Sequence, residues 1–326
     1  MRIGVEPDRA SGCRRSAAAA LAAWLAMSPA RVFAHPGEPL GPHDLWSAWP
    51  LSLWPVLGLM ATAWLFARGG RAWRARGTRL GWRATAFAAG WLTLAVALLT
   101  PLDTLGHALF SAHMAQHLLL ILVAAPLLVL SAPLGPLLVG LPGRAGATLG
   151  AWWRGSRLLR RAWHLISAPA AAWGLHTLAL WVWHAPSLYQ AALTESWLHS
   201  LEHAAFLGTA LLFWWALLHP RPNSAWLAGP GGALYVFTMG LQSGLLGALI
   251  TFAPQPWYPA YAGTTAAWGL SPLDDQQLAG AVMWIPAGLV YLGAALAVLA
   301  AWFTAMERRD EASARVVAAA PVPRNS

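Results

Sequence analysis

The chain has 326 residues, of which 58% are hydrophobic and only 10% are charged. A soluble globular domain carries about 25% charged residues, so this composition argues against that class and predicts a membrane protein with several spans. The formal net charge of +9 would suit a nucleic-acid partner, but the arginines lie in short loops between apolar runs. That placement is typical of a topology signal, so no nucleic-acid partner is expected.

The beginning of the chain has the pattern of an export signal. Arg14 and Arg15 precede an apolar stretch over 17–27, and the small residues that end at Ala34 offer a cleavage site. We therefore expect residues 1–34 to be a signal peptide, with an uncleaved N-terminal anchor as the alternative. The single cysteine of the chain lies in this segment, so a processed protein would have neither disulfides nor thiolate metal sites.

Seven apolar runs after residue 34 are long enough to cross a bilayer. They predict an all-α membrane protein, a seven-transmembrane helix bundle that occupies residues 35–306. The runs are 49–67, 82–101, 107–133, 165–185, 197–218, 232–252 and 278–305. The remaining residues, 307–326, predict a disordered cytoplasmic tail.

The distribution of arginine predicts the orientation of this bundle. All 16 arginines after position 34 fall in alternate loops or in the tail, and the opposite loops have none. Because positively charged loops stay in the cytoplasm, we expect a multi-pass protein of the plasma (inner) membrane with its N-terminus outside and its C-terminus cytoplasmic. The third and fifth runs then both pass from outside to inside.

The third and fifth runs each contain a pair of histidines four residues apart. The segments are His113-Met-Ala-Gln-His117 and His199-Ser-Leu-Glu-His203. Residues four apart on a helix differ by only about 40° in direction, so each pair projects from one face. Imidazole suits copper and zinc, and both pairs lie at the same outer level of the bilayer. We predict one shared metal site with four histidine ligands, and a buried hydrogen-bonded network that fixes helix packing is the alternative.

Further residues are candidates for the same site. Glu202 is placed to bind the metal directly or to orient a histidine. Gln116 has no charge, so it could only orient a histidine through a neutral hydrogen bond. His184, at the end of the fourth run, would supply a ligand from a third helix. Asp275 begins the seventh run, where a helix cap, a salt partner and a site residue are all open roles.

Three methionines inside the runs could hold Cu(I) through their thioethers, although core packing is the usual role of such residues. They are Met114, Met239 and Met283. Two other histidines lie in or near these runs. For His107 a helix cap or an interface position is at least as well supported as ligation of the metal, and we expect His176, which lies deeper in its run, to pack in the core.

The sequence also leaves two enzymatic hypotheses open. The segment His199-Ser-Leu-Glu-His203 matches the H-x-x-E-H pattern of inverted zinc peptidases, but such a short pattern arises easily by chance and the pair at His113 lacks the acid. A b-type haem could be held between histidines of two helices, although pairs four apart fit a small ion better. We therefore expect a protein that holds a metal and is not an enzyme.

Four segments together resemble a known family. They are His113–His117, Trp183-His-Ala-Pro-Ser-Leu-Tyr189, His199–His203, and Asp275-Gln-Gln-Leu-Ala-Gly280 with Met283-Trp284. In this order, and over about residues 45–305, the chain resembles the CtaG-type family of cytochrome c oxidase assembly factors.

The resemblance implies an integral plasma-membrane protein that helps haem–copper oxidases to mature, at the step that installs copper. Copper is the implied cofactor, and the implied partners are haem–copper oxidase subunits, membrane lipid and a periplasmic copper donor. An unrelated single-span copper chaperone of the same name binds copper through cysteines. The lack of cysteine after position 34 argues against that mechanism for this chain.

Overall fold

The structure is a computed structural model that describes residues 40–50 and 53–319. The predicted signal segment, 1–34, lies outside these residues. Every regular element within the described part of the chain is a helix. The all-α class expected from the composition is therefore confirmed.

Twelve α-helices, joined by short turns and three 3₁₀ segments, make up the described region. They are α1 (Leu53–Ala75), α2 (Trp82–Leu99), α3 (Pro101–Leu105), α4 (Phe110–Ser131), α5 (Leu134–Gly140), α6 (Ala145–Gly155), α7 (Arg157–Ile166), α8 (Pro169–Trp183), α9 (Pro186–Thr194), α10 (Ser196–Leu218), α11 (Pro230–Thr251) and α12 (Pro272–Ala319). Each of the seven predicted runs coincides with one of these helices.

The helices that could each cross a membrane do not confirm the predicted number of spans. Five helices are each long and apolar enough to cross a membrane, namely α2, α4, α10, α11 and α12. The helices α7 and α8 meet at a bend of 66° and together have the length and apolarity of either a broken span or a re-entrant loop. The helix α1 is not among them, and its second half carries Arg68, Arg71 and Arg74. Among the described residues, these apolar helices are consistent with a membrane protein, and the count of seven spans is not confirmed.

The last helix continues into the segment for which the sequence predicts a disordered tail. The helix α12 extends from Pro272 to Ala319, so residues 307–319 are helical where the sequence predicted disorder. The helix continues because this segment contains neither proline nor glycine and is rich in alanine, arginine and glutamate, which are strong helix formers.

Close packing of small residues holds α11 against α12. A Cβ atom added to Gly280 would lie 2.6 Å from the carbonyl oxygen of Gly247, so the two backbones are almost in contact. Glycines that permit such close approach are typical of helix pairs in membranes. The helix α4 lies at the centre of the bundle, where it contacts α2, α10 and α12.

The helix α4 is irregular in its middle. Residues Leu119–Ala124 form a π-helical segment, and the indole nitrogen of Trp214 on α10 donates a hydrogen bond of 2.9 Å to the carbonyl oxygen of Ile121. Such π segments occur frequently at functional sites. This one follows directly after the histidine pair of α4 and changes the rotation of the rest of the helix.

Candidate metal centre

Six buried or nearly buried residues meet where the N-terminal turns of α4 and α10 approach α3. We call them the histidine–carboxylate cluster; they are Asp103 from α3, His113 and His117 from α4, and His199, Glu202 and His203 from α10. The spacing of four residues places the two rings of each pair on one helical face. Their centroids are 4.3 Å apart in both helices.

The tertiary structure brings the two histidine pairs together. The ring centroids of His113 and His199 are 5.4 Å apart, and those of His117 and His203 are also 5.4 Å apart. The two helices therefore present their histidines to each other across one interface. The four predicted ligands form a single group, as the matching depths of the two segments predict.

Glu202 lies between the imidazoles of both helices. Its Oε2 is 3.6 Å from Nε2 of His113, and its Oε1 is 3.7 Å from Nε2 of His117. These separations exceed a normal hydrogen bond. They are close to the ~3.4 Å expected between two ligand atoms that each lie ~2.0–2.2 Å from one tetrahedral ion.

Most polar atoms of the cluster are buried and lack a hydrogen-bond partner among the described residues. This holds for both ring nitrogens of His113 and His117, for Nε2 of His203 and for both carboxylate oxygens of Glu202. Burial of unpaired polar atoms is costly, and native proteins rarely tolerate several together. A cation bound among them would satisfy one nitrogen of each ring together with a carboxylate oxygen.

The ligand atoms are close enough to share an ion. Three groups of three residues each have all ligand atoms within 4.8 Å of one another. The groups are His113 with His117 and His203; Asp103 with His199 and His203; and His113 with His199 and Glu202. Since the groups overlap, the donor set fits one metal ion or two adjacent ions. Its chemistry, imidazole with carboxylate, is that of copper and zinc sites.

Asp103 is a member of the cluster that the sequence analysis missed. Its Oδ1 lies 3.3 Å from Nε2 of His199 and accepts a hydrogen bond of 2.8 Å from Nε2 of Gln116. Burial penalises the charged carboxylate, but the hydrogen bonds and nearby imidazoles outweigh this and hold the pKa of Asp103 below its usual value. The sequence signal that could have identified Asp103 is its position in an arginine-free loop, at the same end of the bundle as both histidine pairs.

Gln116 has a positioning role rather than that of a ligand. Its amide nitrogen donates to the carbonyl oxygen of Ala97 at 2.8 Å as well as to Asp103. The side chain therefore links α4 to the end of α2 and holds the carboxylate of α3 in place. The two histidine segments therefore use their middle polar residues differently, with Gln116 holding neighbouring groups and Glu202 facing the imidazoles.

His184 lies beside the cluster and not within it. Its ring centroid is 6.2 Å from that of His117, and its Nε2 is 3.3 Å from Sδ of Met114. The predicted third-helix ligand therefore has a different set of neighbours from the four histidines of α4 and α10. It contacts one of the three methionines singled out in the sequence.

Asp275 is not in the histidine–carboxylate cluster, and its contacts are those of a helix cap, one of the three roles left open for it. Both of its carboxylate oxygens accept hydrogen bonds from the first turn of α4. The donors are Phe110 N at 2.6 Å, Ser111 N at 3.2 Å and Ser111 Oγ at 2.5 Å. The carboxylate therefore caps the N-terminus of a neighbouring helix, where its charge is favourable.

The two remaining histidines of interest have different surroundings. The ring of His107 lies 4.8 Å from that of His199, so it lines the edge of the cluster. His176 is fully buried and its Nδ1 pairs with Oγ1 of Thr209 at 2.9 Å. It packs α8 against α10, which is the role expected for it.

The apolar helices and the buried group of histidines and carboxylates define a helical membrane protein with a polar centre inside its bundle. Comparison with known protein families gives a match over residues 64–305 to the cytochrome c oxidase caa3 assembly factors. The match covers more than half of the chain, and the chain belongs to this family. The family resemblance stated from the sequence segments is confirmed.

Two curated relatives match over a shorter region. An uncharacterized protein of Mycobacterium bovis and one of Mycobacterium tuberculosis are each 28% identical to the chain over 200 residues. The matched region covers 60% of this chain and only 30% of each relative, so the chain spans less than a third of their length. No solved structure is significantly similar to the chain.

Proposed function

We propose that the chain assists the assembly of a haem–copper oxidase in the plasma membrane by holding copper at the histidine–carboxylate cluster. Membership of the caa3 assembly-factor family supports the assembly role. The observation that carries the copper role is the group of buried, unpartnered ligand atoms of His113, His117, Glu202 and His203. The proposed partners are oxidase subunits in the same membrane and a periplasmic copper donor.

The orientation of the bundle makes the cluster accessible to such a donor. The arginine-rich loops belong in the cytoplasm by the positive-inside rule, and both histidine pairs lie in the first turns of helices that begin at the opposite end. The cluster is then in the outer half of the bilayer. Asp103 and His199 are its most exposed side chains, at 17% and 10%, and they form the entry from the outer surface.

The donor chemistry favours copper over the other metals considered. Nitrogen and oxygen ligands bind Cu(II) more tightly than other divalent first-row ions. In this role the protein binds the metal and releases it to a partner, and no substrate is turned over. The two enzymatic alternatives are less well supported. A haem needs a flat gap between two ligating rings, whereas the four rings here contact one another, and a peptidase needs room for a peptide beside the metal.

Metal analysis of the detergent-purified protein tests the copper role. The wild type is compared with His113→Ala and His199→Ala after exposure to copper and removal of free metal. We expect both variants to lose most of the bound copper, since each removes a central ligand. His176→Ala is the matched control, because it removes a buried histidine outside the cluster and should leave the copper content unchanged. Equal copper content in all four proteins would contradict a shared site.

The assembly role is tested in cells. Deletion of the gene should lower haem–copper oxidase activity, and excess copper in the medium should restore part of it. Expression of the His113→Ala variant should fail to complement, while His176→Ala should complement. Normal oxidase levels in the deletion strain would refute the assembly role.

A further inference from the structure

A small cavity adjoins the cluster, between α4, the end of α8, α11 and α12. His117 lies in its wall and is also a member of the histidine–carboxylate cluster, so one side chain borders both sites. The other polar or polarizable groups of the cavity include Met114, His184 and Met283. All four side chains are at most 4% exposed, so the cavity lies in the interior of the bundle.

The hydrogen bonds of His184 determine which of its nitrogens is free. Its Nδ1 is 2.7 Å from the carbonyl oxygen of Leu180, and a carbonyl only accepts, so Nδ1 carries the proton. The apolar surroundings favour the neutral ring, in which Nε2 then bears a lone pair. That lone pair faces Sδ of Met114 at 3.3 Å. Two electron-pair donors therefore point at each other, an arrangement that a bound cation between them would stabilise.

The separation of these two donors suits a metal ion. A nitrogen at ~2.0 Å and a sulfur at ~2.3 Å from one tetrahedral ion lie ~3.5 Å apart. The observed 3.3 Å between Nε2 of His184 and Sδ of Met114 is close to that value. Met283 on α12 lines the same cavity and supplies a second thioether from a third helix.

The softness of the donors and the apolar wall select the class of ion. Thioether sulfur prefers soft ions such as Cu(I). A monovalent ion also loses less hydration energy than a divalent ion on entry into an apolar cavity. Met239 differs from these two methionines. Its sulfur accepts a hydrogen bond of 3.5 Å from Nε2 of Gln242, and it does not line the cavity.

We propose that Met114, His184 and Met283 form a second metal site, selective for Cu(I), inside this cavity. His117 connects it to the histidine–carboxylate cluster, so copper held by the protein has two coordination environments separated by one side chain. The inference rests on the proposed copper function, but binding of a soft ion is measured separately from binding of Cu(II).

Binding of Ag(I), a soft monovalent probe, to the purified protein tests this site. The affinity for Ag(I) is measured by competition in the wild type, in the double variant Met114→Leu/Met283→Leu, and in the control Met239→Leu. We expect the double variant to bind Ag(I) at least ~10-fold more weakly and the control to match the wild type. Unchanged affinity in the double variant, or equal losses in the double variant and the control, would overturn the proposal.

Two further measurements keep the result unambiguous. Absorption at the selenium edge of selenomethionine-labelled wild type should reveal silver neighbours of selenium without any substitution, so the test does not depend on folding of the variant. The Cu(II) content of each variant is measured in parallel. If the double variant retains Cu(II) and its Ag(I) affinity equals that of the wild type, the second site is refuted and the cluster is not. If the wild type does not bind Cu(II) but binds Ag(I) in a way that depends on the methionines, the copper role of the cluster is refuted and the second site stands.

Discussion

Replacement of Asp275 separates a capping role from a ligand role. The carboxylate of this residue is fully buried and accepts three hydrogen bonds from Phe110 and Ser111 at the start of α4. We expect Asp275→Ala to destabilise the protein substantially and Asp275→Asn to destabilise it less, because the amide oxygen retains part of the acceptor capacity.

The magnitude follows from the donors that lose their acceptor. Each buried donor left unsatisfied costs about 1–3 kcal/mol, and loss of a helix N-cap costs about 1 kcal/mol. Contributions within one hydrogen-bond network do not add in full. We therefore expect Asp275→Ala to lower the free energy of unfolding by about 2–4 kcal/mol, and Asp275→Asn by about 1–2 kcal/mol.

Reversible unfolding in mixed micelles, followed by tryptophan fluorescence, measures these differences. Asp274→Asn is the matched control, since Asp274 is exposed and pairs only with the nearby Ser271 in the described structure; its unfolding should match the wild type. Folded Asp275→Asn should retain its copper. A variant that lost copper while its free energy of unfolding stayed unchanged would show that Asp275 is a ligand and refute the capping argument.

Three other predictions address the cluster and the packing around it. Glu202→Gln should weaken copper binding by about 10–100-fold in competition titrations, because it removes the carboxylate that faces both histidine pairs; unchanged affinity would contradict its central position. Gly280→Ala should lower the free energy of unfolding by about 1–3 kcal/mol, since its methyl group would overlap Gly247, whereas Gly244→Ala, which meets nothing within 4 Å, should be tolerated. Trp214→Phe should cost about 1 kcal/mol through loss of its hydrogen bond to the π-helical segment, and an unchanged melting temperature would argue against that bond.

The limits of prediction from the sequence are clearest at three residues. Asp103, Asp275 and His184 all lie near the ends of apolar runs, and their local sequence does not distinguish their roles. In the structure Asp103 joins the cluster, Asp275 caps α4 and His184 pairs with Met114. The partners His199 of Asp103, Phe110 of Asp275 and Met114 of His184 each lie at least 70 positions away along the chain. No local sequence pattern could identify them.

The span count shows a similar limit. Apolar runs located every long helix, but the run that begins α1 continues into Arg68 and Arg71 within the same helix. Sequence patterns mark where a segment is apolar, whereas the helix ends only where its backbone hydrogen bonds stop. The same reasoning explains the helical continuation of α12 beyond residue 306.

The sequence by itself determined the helical class, the family and the facing of each histidine pair. These properties are local, because composition sets the solvent that a segment prefers and a repeat of 3.6 residues sets which side chains share a face. Only the tertiary structure decided which faces meet. That depends on the rotation of each helix about its axis and on irregularities such as the π segment Leu119–Ala124, which changes the phase of α4 and cannot be inferred from a regular repeat.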